Sequence, residues 1–180
     1  MATLYDIQTY LLDRANIHDT VTRLLLHKTF HCDRKSLDGL LNDVYAPRVA
    51  LDYTSIFGGQ PFETTKEEWS KTIISAAASF DNCQHVLTSL IIELPQPSNG
   101  ATRPDKCQVY ANATGHMVRQ AAKGGPMIHD GARLVLDLVR IPELEQKGEN
   151  PWRVSKYVAD VCWEHGNKDV IMNHVASIGN

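Results

Sequence analysis

Near residue 80 the hydrophobic period of this chain changes, and that change limits what it can fold into. Between Asp13 and His31, the apolar residues Ile17, Val21, Leu24 and Leu25 recur at helical spacing, so one face of a helix must be covered. A shorter amphipathic piece, Ser36 to Asp43, groups Leu37, Leu40 and Leu41. From Pro47 a brief β-type run, RVALDYTSIF, extends to Gly58-Gly59. Thr65-Lys66-Glu67-Glu68 has the form of a capping box. It predicts a helix to about Ser79 whose buried face carries Trp69, Ile73, Ala76 or Ala77, and Phe80.

Beyond residue 80 the period shortens to that of strands. Gln84–Leu94, Cys107–Arg119, Ala132–Ile141 and Trp152–Trp163 are separated by PQPSNGATRPDK, by Gly124-Gly125-Pro126 and by ELEQKGENP. Consecutive long strands joined by turns make an antiparallel meander. Helices first and sheet afterwards give an α+β fold, with the helices on one face of a curved antiparallel sheet. Such a sheet wraps the helices and leaves a conical pocket between them. A short helical tail, Asp169 to Ala176, is placed to close its open end. The 180 residues suit one domain, 1–180, with a sizeable core.

Charge and composition narrow the function. A formal net charge of -3 with no long run of one sign argues against nucleic acid or an anionic membrane as partner. No apolar stretch approaches the ~20 residues that span a bilayer. The first residues, MATLYDIQTYLLDR, lack the basic start of a signal peptide, so a cytoplasmic location is expected. Cys32, Cys83, Cys107 and Cys162 lie far apart and read as free thiols in a reducing compartment. Neither GxGxxG nor GxxxxGK[ST] occurs, and no cofactor is expected. His27 and His31 stand four apart on a helix beside Cys32, a spacing that can chelate zinc. No third ligand is suggested by spacing, and no metal site is expected.

Strand alternation gathers the candidate site. His85, Leu87, Ser89 and Ile91 share one side of their strand, while Tyr110, Asn112, Thr114 and His116 share a side of the next. Cys107, Val109, Ala111, Ala113 and Met117 lie opposite that polar set, and Gly115 is a candidate for a bulge that swaps the faces. Asp33 follows the first helix, and Tyr53 lies in the short β run. A cavity collecting His85, His116, Asp33 and Tyr53, with Tyr110, Asn112, Ser89 and Trp69 against a substrate, is the expectation. Asp130 and Asp137 are alternative carboxylates near the pocket, though they read first as a turn residue and a solvent-facing strand residue.

Several motifs then fall in a recognisable order: the Asp33 turn with LDGLLNDVYAPRVALDYTS after it, QHVLTS, GHMVR and WRVSKYVADVCWEHGN. Over roughly residues 10–167 the chain resembles the SnoaL-like branch of the NTF2-like superfamily, and within it the scytalone dehydratase-like proteins. The resemblance implies a cone-shaped α+β barrel in a homo-oligomer, a dimer or a trimer. It implies dehydratase, polyketide cyclase or isomerase activity, with non-enzymatic binding also present in the family. Asp33 matches the family's histidine-pairing aspartate, Tyr53 its water-holding tyrosine, His85 its first histidine and His116 its second. The chain departs at Cys32, where the family has a tyrosine. It departs again at His129-Asp130-Gly131-Ala132, where the serine and asparagine that follow a family histidine are absent. Scytalone itself is therefore not the expected substrate.

The same residue types argue for the chemistry alone. Dehydration of a β-hydroxy ketone, aldol ring closure and double-bond migration all start by removing a proton α to a carbonyl. A neutral imidazole takes that proton, a carboxylate steadies the imidazolium, and a phenol steadies the enolate oxygen. The expected function is a cofactor-independent lyase, cyclase or isomerase acting on a carbonyl-bearing polyketide or terpenoid intermediate. The alternative is a non-enzymatic cone that carries an apolar ligand or serves oligomerisation.

Overall fold

The structure, a computed structural model, describes residues 5–29, 36–98 and 100–172, with backbone alone at 26–29. Asp33, His31, Cys32 and the end of the tail lie outside the described residues, as does the side chain of His27.

Helix α1 spans Ile7–Thr29 and starts earlier than its apolar spacing shows. The carboxylate of Asp6 accepts from the backbone N–H of Thr9 at 2.7 Å, an N-cap that stabilises the first turn. Ile17, Val21, Leu24 and Leu25 are all buried. Ser36 caps the short α2, Leu37–Gly39, which continues as one π-helical turn, Leu40–Val44. Strand β1, Tyr45–Asp52, follows. The β-type run stops there because the Asp52 carboxylate accepts from the N–H and hydroxyl of Thr54 at 3.0 and 2.7 Å. The chain turns instead into α3, Thr54–Phe57. A short strand absent from the sequence reading, β2 at Phe62–Thr65, precedes α4, Lys66–Ala77. That helix opens with the capping box formed by Thr65 and Glu68.

The long strands are β3 (Asn82–Glu93), β4 (Lys106–Val118), β5 (Met127–Arg140) and β6 (Trp152–Gly166). Between β5 and β6 lies the single turn α5, Pro142–Glu145, and after β6 comes α6, Asp169–Met172. Among the described residues the sheet has six strands in the order β2-β1-β6-β5-β4-β3. β3 to β6 form the antiparallel meander, and β1 extends it by pairing parallel to β6. The result is the expected α+β cone, with a mixed rather than purely antiparallel sheet.

Bulges give the sheet its curvature. In β3 the register shifts between Thr88 and Ile91, with Ser89 at φ 56°. In β6 it shifts beside Ser155 and Cys162. The β3 bulge reverses the faces beyond it, so Leu90 and Ile92 pack on the core while Ile91 is 57% exposed. Gly115, the expected bulge, lies in unbroken register with His85 and Asp130. The inner face of β4 is Cys107, Val109, Ala111, Ala113, Gly115 and Met117. The polar set from Tyr110 to His116 lies on the outer face.

Helix α1 is tied across the inner face by a buried polar cluster. The Asp13 carboxylate, fully buried, accepts from Arg103 Nη2 at 2.6 Å and Nε at 2.9 Å, and from the Trp152 indole at 2.9 Å. Arg103 also pairs with Glu145 in α5. Arg153, 4% exposed, donates to the carbonyls of Asn150, Trp152 and Asn42 at 2.8, 2.8 and 2.5 Å. Asp13→Ala strips the buried guanidinium of its bidentate partner, and breaking such a pair costs about 3–5 kcal/mol. The expected outcome is a urea midpoint lowered accordingly. A change under ~1 kcal/mol would show that Glu145 alone neutralises Arg103.

Candidate functional site

Between α3, α4 and the inner sheet face lies a cavity of about 110 Å3. Its wall is mostly apolar, with Ile56, Phe57, Ile73, Phe80 and Met117 prominent. Ile171 of α6 borders it too, so the C-terminal helical turn closes that side as the sequence implied. Two larger clefts, of 490 and 370 Å3, share Arg153 and Glu149. They lie around the β5–β6 connection and contain no histidine, although the buried phenol of Tyr45 borders the larger one. The smaller cavity is the better candidate because it alone joins an apolar wall to converging titratable groups.

Those groups are His85, Asp130 and Tyr53. His85 is delivered by strand alternation, being inward with Cys83 and Leu87. Directly opposite it on β4 stands Gly115, and opposite Gly115 on β5 stands Asp130. The Gly115 N–H donates to Asp130 Oδ1 at 3.1 Å. A Cβ built on Gly115 would lie only 2.6 Å from that oxygen. The carboxylate therefore occupies the space that any side chain on Gly115 would fill. It lies over the glycine that faces His85, about one strand spacing, ~5 Å, from the histidine backbone. Here the absence of a side chain matters for close approach rather than for backbone freedom.

Tyr53 sits at the start of α3 and is 7% exposed. Its ring stacks on Tyr157 of β6 at 5.1 Å between centroids and tilts against Trp69 at 5.4 Å. Burial, then the neighbouring phenols of Tyr157 and Tyr45, and a hydrogen bond with Tyr157 push the Tyr53 hydroxyl well above the ordinary tyrosine value. Tyr157 is raised as well, by burial and by the Asp130 charge, against the hydrogen bond with Tyr53, which acts the other way. Both phenols thus keep their protons at neutral pH and can donate.

The sequence reading placed its candidates unevenly. His85, Tyr53 and Trp69 border the cavity. Asp33 lies outside the described residues. His116 does not face the cavity: it is on the outer face, its Nδ1 2.6 Å from Nδ1 of His129. The apolar residues of β4 must cover the helices, so the polar set that alternates with them is forced outward. Tyr110 and Asn112 are exposed there for the same reason, and Ser89 is an exposed bulge residue. Asp137 is also outward and accepts from Gln108 at 2.8 Å. Asp130 was underrated because β5 begins at Met127, not Ala132, which makes it a strand residue with a defined inward face. Tyr157 was missed altogether. The signal for Asp130 was present: a lone glycine on the inner row between a histidine and an aspartate.

Among the described residues, no three His, Cys, Asp or Glu side chains gather to hold a metal ion. Cys83, Cys107 and Cys162 are free thiols, and burial pushes Cys107 up to about 12. No described helix is long and apolar enough to cross a membrane.

The fold has known relatives. The Kfla4162 protein from Kribbella flavida superposes with a TM-score of 0.73 at 17% identity, over 92% of this chain and 99% of that one. Hexachlorocyclohexane dehydrochlorinase LinA-type3 from Novosphingobium barchaimii gives 0.63 at 14%, over 88% and 92%. A proposed scytalone dehydratase from Novosphingobium aromaticivorans gives 0.60 at 11%, over 86% and 90%. At these identities the likeness is one of fold. No curated protein matches the chain. The sequence model of the SnoaL-like domain matches residues 9–158, most of the chain and nearly all of the cone, and the protein belongs to the SnoaL-like family.

Proposed function

We propose that this chain is a cofactor-independent lyase, cyclase or isomerase that removes a proton α to a carbonyl, with His85 as the base. The observation that supports this reading is the meeting of His85, Asp130 and Tyr53 in one largely apolar cavity. A neutral imidazole nitrogen of His85 takes the α-proton, and the C–H electron pair forms an enolate. Tyr53 turns its hydroxyl from Tyr157 to donate a hydrogen bond to the carbonyl oxygen as its charge grows. Asp130 steadies the imidazolium, the role the family resemblance gives to Asp33. The enolate then expels a β-hydroxyl that the imidazolium protonates, releasing water. Alternatively it closes onto a second carbonyl, or takes the proton back at a distant carbon.

The cavity volume bears on the substrate. An apolar space of ~150 Å3 holds benzene, so about 110 Å3 suits a reacting part of roughly one ring. A carbonyl-bearing polyketide or terpenoid intermediate fits that description. A non-enzymatic carrier of apolar ligands would use the same wall but would give His85 and Asp130 no task.

A second part of the proposal concerns assembly. Val86, Ile91, Tyr110 and Trp163 expose 41, 57, 41 and 49% of their surface, all from the outer sheet face. Apolar groups grouped on one face favour burial against a second copy, in a dimer or trimer. Light scattering at micromolar concentration should show an oligomer that Tyr110→Arg dissociates. A monomeric wild-type chain would contradict this.

The chemistry is tested without knowing the substrate. In heavy water, α-protons of a small aromatic ketone such as 1-tetralone should exchange faster with the protein than without it, followed by proton NMR. His85→Ala should fold with an unchanged thermal midpoint and lose roughly 10²–10⁴-fold of that rate. Gly115→Ala, which displaces the Asp130 carboxylate, should lose part of it. Binding of the ketone without exchange by the wild-type chain would favour the carrier.

A further inference from the structure

On the outer sheet face, opposite the cavity, three histidines fall in one row. β4 pairs His116 with His129 of β5, and β5 pairs His129 with His165 of β6. The first two rings touch: their Nδ1 atoms are 2.6 Å apart, and their centroids 4.8 Å at 70°. Two nitrogen lone-pair positions are thus aimed at one point, where a single proton is shared between them. Neither ring has another hydrogen-bond or ion-pair partner among the described residues. The alternation that sends His85 inward sends this pair outward, so the proposed proton transfer does not use it.

We propose that His116 and His129 form a two-imidazole chelate for a borderline divalent ion of the zinc, copper or nickel class. Such ions favour imidazole nitrogen, whereas magnesium and calcium favour oxygen. Zinc–nitrogen bonds of about 2.0–2.1 Å at a tetrahedral angle hold the two nitrogens ~3.4 Å apart. The rings therefore part by under ~1 Å from their present contact, within the freedom of two half-buried side chains. The ion takes the place of the shared proton. The ring that donated through Nδ1 moves its proton to Nε2, so a neutral pair releases no net proton. Water fills the remaining positions, since no third ligand of the row stands in range among the described residues. The site lies six residues along β4 from Tyr110, about 20 Å, and beside Trp163, which pairs with Gly131 two residues from His129.

Calorimetric titration of the full chain with zinc chloride at neutral pH, after chelator treatment, tests the site. Saturable binding of one ion is expected. His116→Ala and His129→Ala should each weaken it by at least ~10-fold, and His116→Gln repeats the test with a side chain of similar bulk. His18→Ala, on the exposed side of α1, and His165→Ala should leave it within about twofold. Nitrogen NMR of the zinc-saturated chain should show both rings protonated at Nε2. Absence of saturable binding overturns the proposal. So does binding that survives His116→Ala, which would place the ion elsewhere, and so does an equal loss in His165→Ala, which would replace the pair by a three-histidine site.

Discussion

The fold depends on one carboxylate that has no access to water. Asp13 sits in the second turn of α1, completely buried, between the Arg103 guanidinium and the Trp152 indole. A buried charge is tolerated only when its lone pairs are met, and these partners come from the β3–β4 connection and from the first residue of β6. Helix α1 can therefore occupy only one position on the sheet. Thr20 extends the tie by donating to the Trp152 carbonyl at 3.1 Å and accepting from Asn150 at 3.0 Å. With α1 fixed there, α4 and the short α3 cover the remaining inner face. The cavity is the space they leave above β3, β4 and β5.

What occupies that space follows from period-two alternation and a single missing side chain. Along the inner rows the sheet presents aliphatics to the helices until it reaches Gly115. There the row has no side chain, and the Asp130 carboxylate folds over the gap under the pull of the Gly115 N–H. A carboxylate in an apolar wall would be costly without such a donor. The same gap leaves room in front of His85. Tyr53 enters from the other side, held by stacking on Tyr157 and by Trp69. Geometry of this kind pre-positions acid–base groups on rigid elements, where their orientation is set by packing before any ligand arrives.

Much of this was legible in the sequence. The capping box placed α4, the 3.6 period placed the buried face of α1, and the turn residues separated the meander strands. Strand alternation placed His85 in the cavity, and the short β run together with the family resemblance placed Tyr53 there. The errors have local causes. The Ser89 bulge reverses one face within an unbroken apolar run, where no pattern marks it. The polar row of β4 was assigned inward because it contains His116, although its apolar counterpart had the stronger claim on the helices. The Asp13 cluster rests on Arg103 in a loop and Trp152 over a hundred residues away. Such a tertiary contact leaves no periodic trace.

The central claim is that His85 titrates as an acid–base group beside the Asp130 carboxylate. Nitrogen-15 NMR of the imidazoles, followed through the neutral pH range in the wild-type chain and in Asp130→Asn, tests it most directly. A nearby negative charge favours imidazolium, so removing it must lower the pH at which the ring gains its proton. The account predicts a lower midpoint for His85 in Asp130→Asn than in the wild-type chain. A His85 midpoint identical in the two proteins would contradict it.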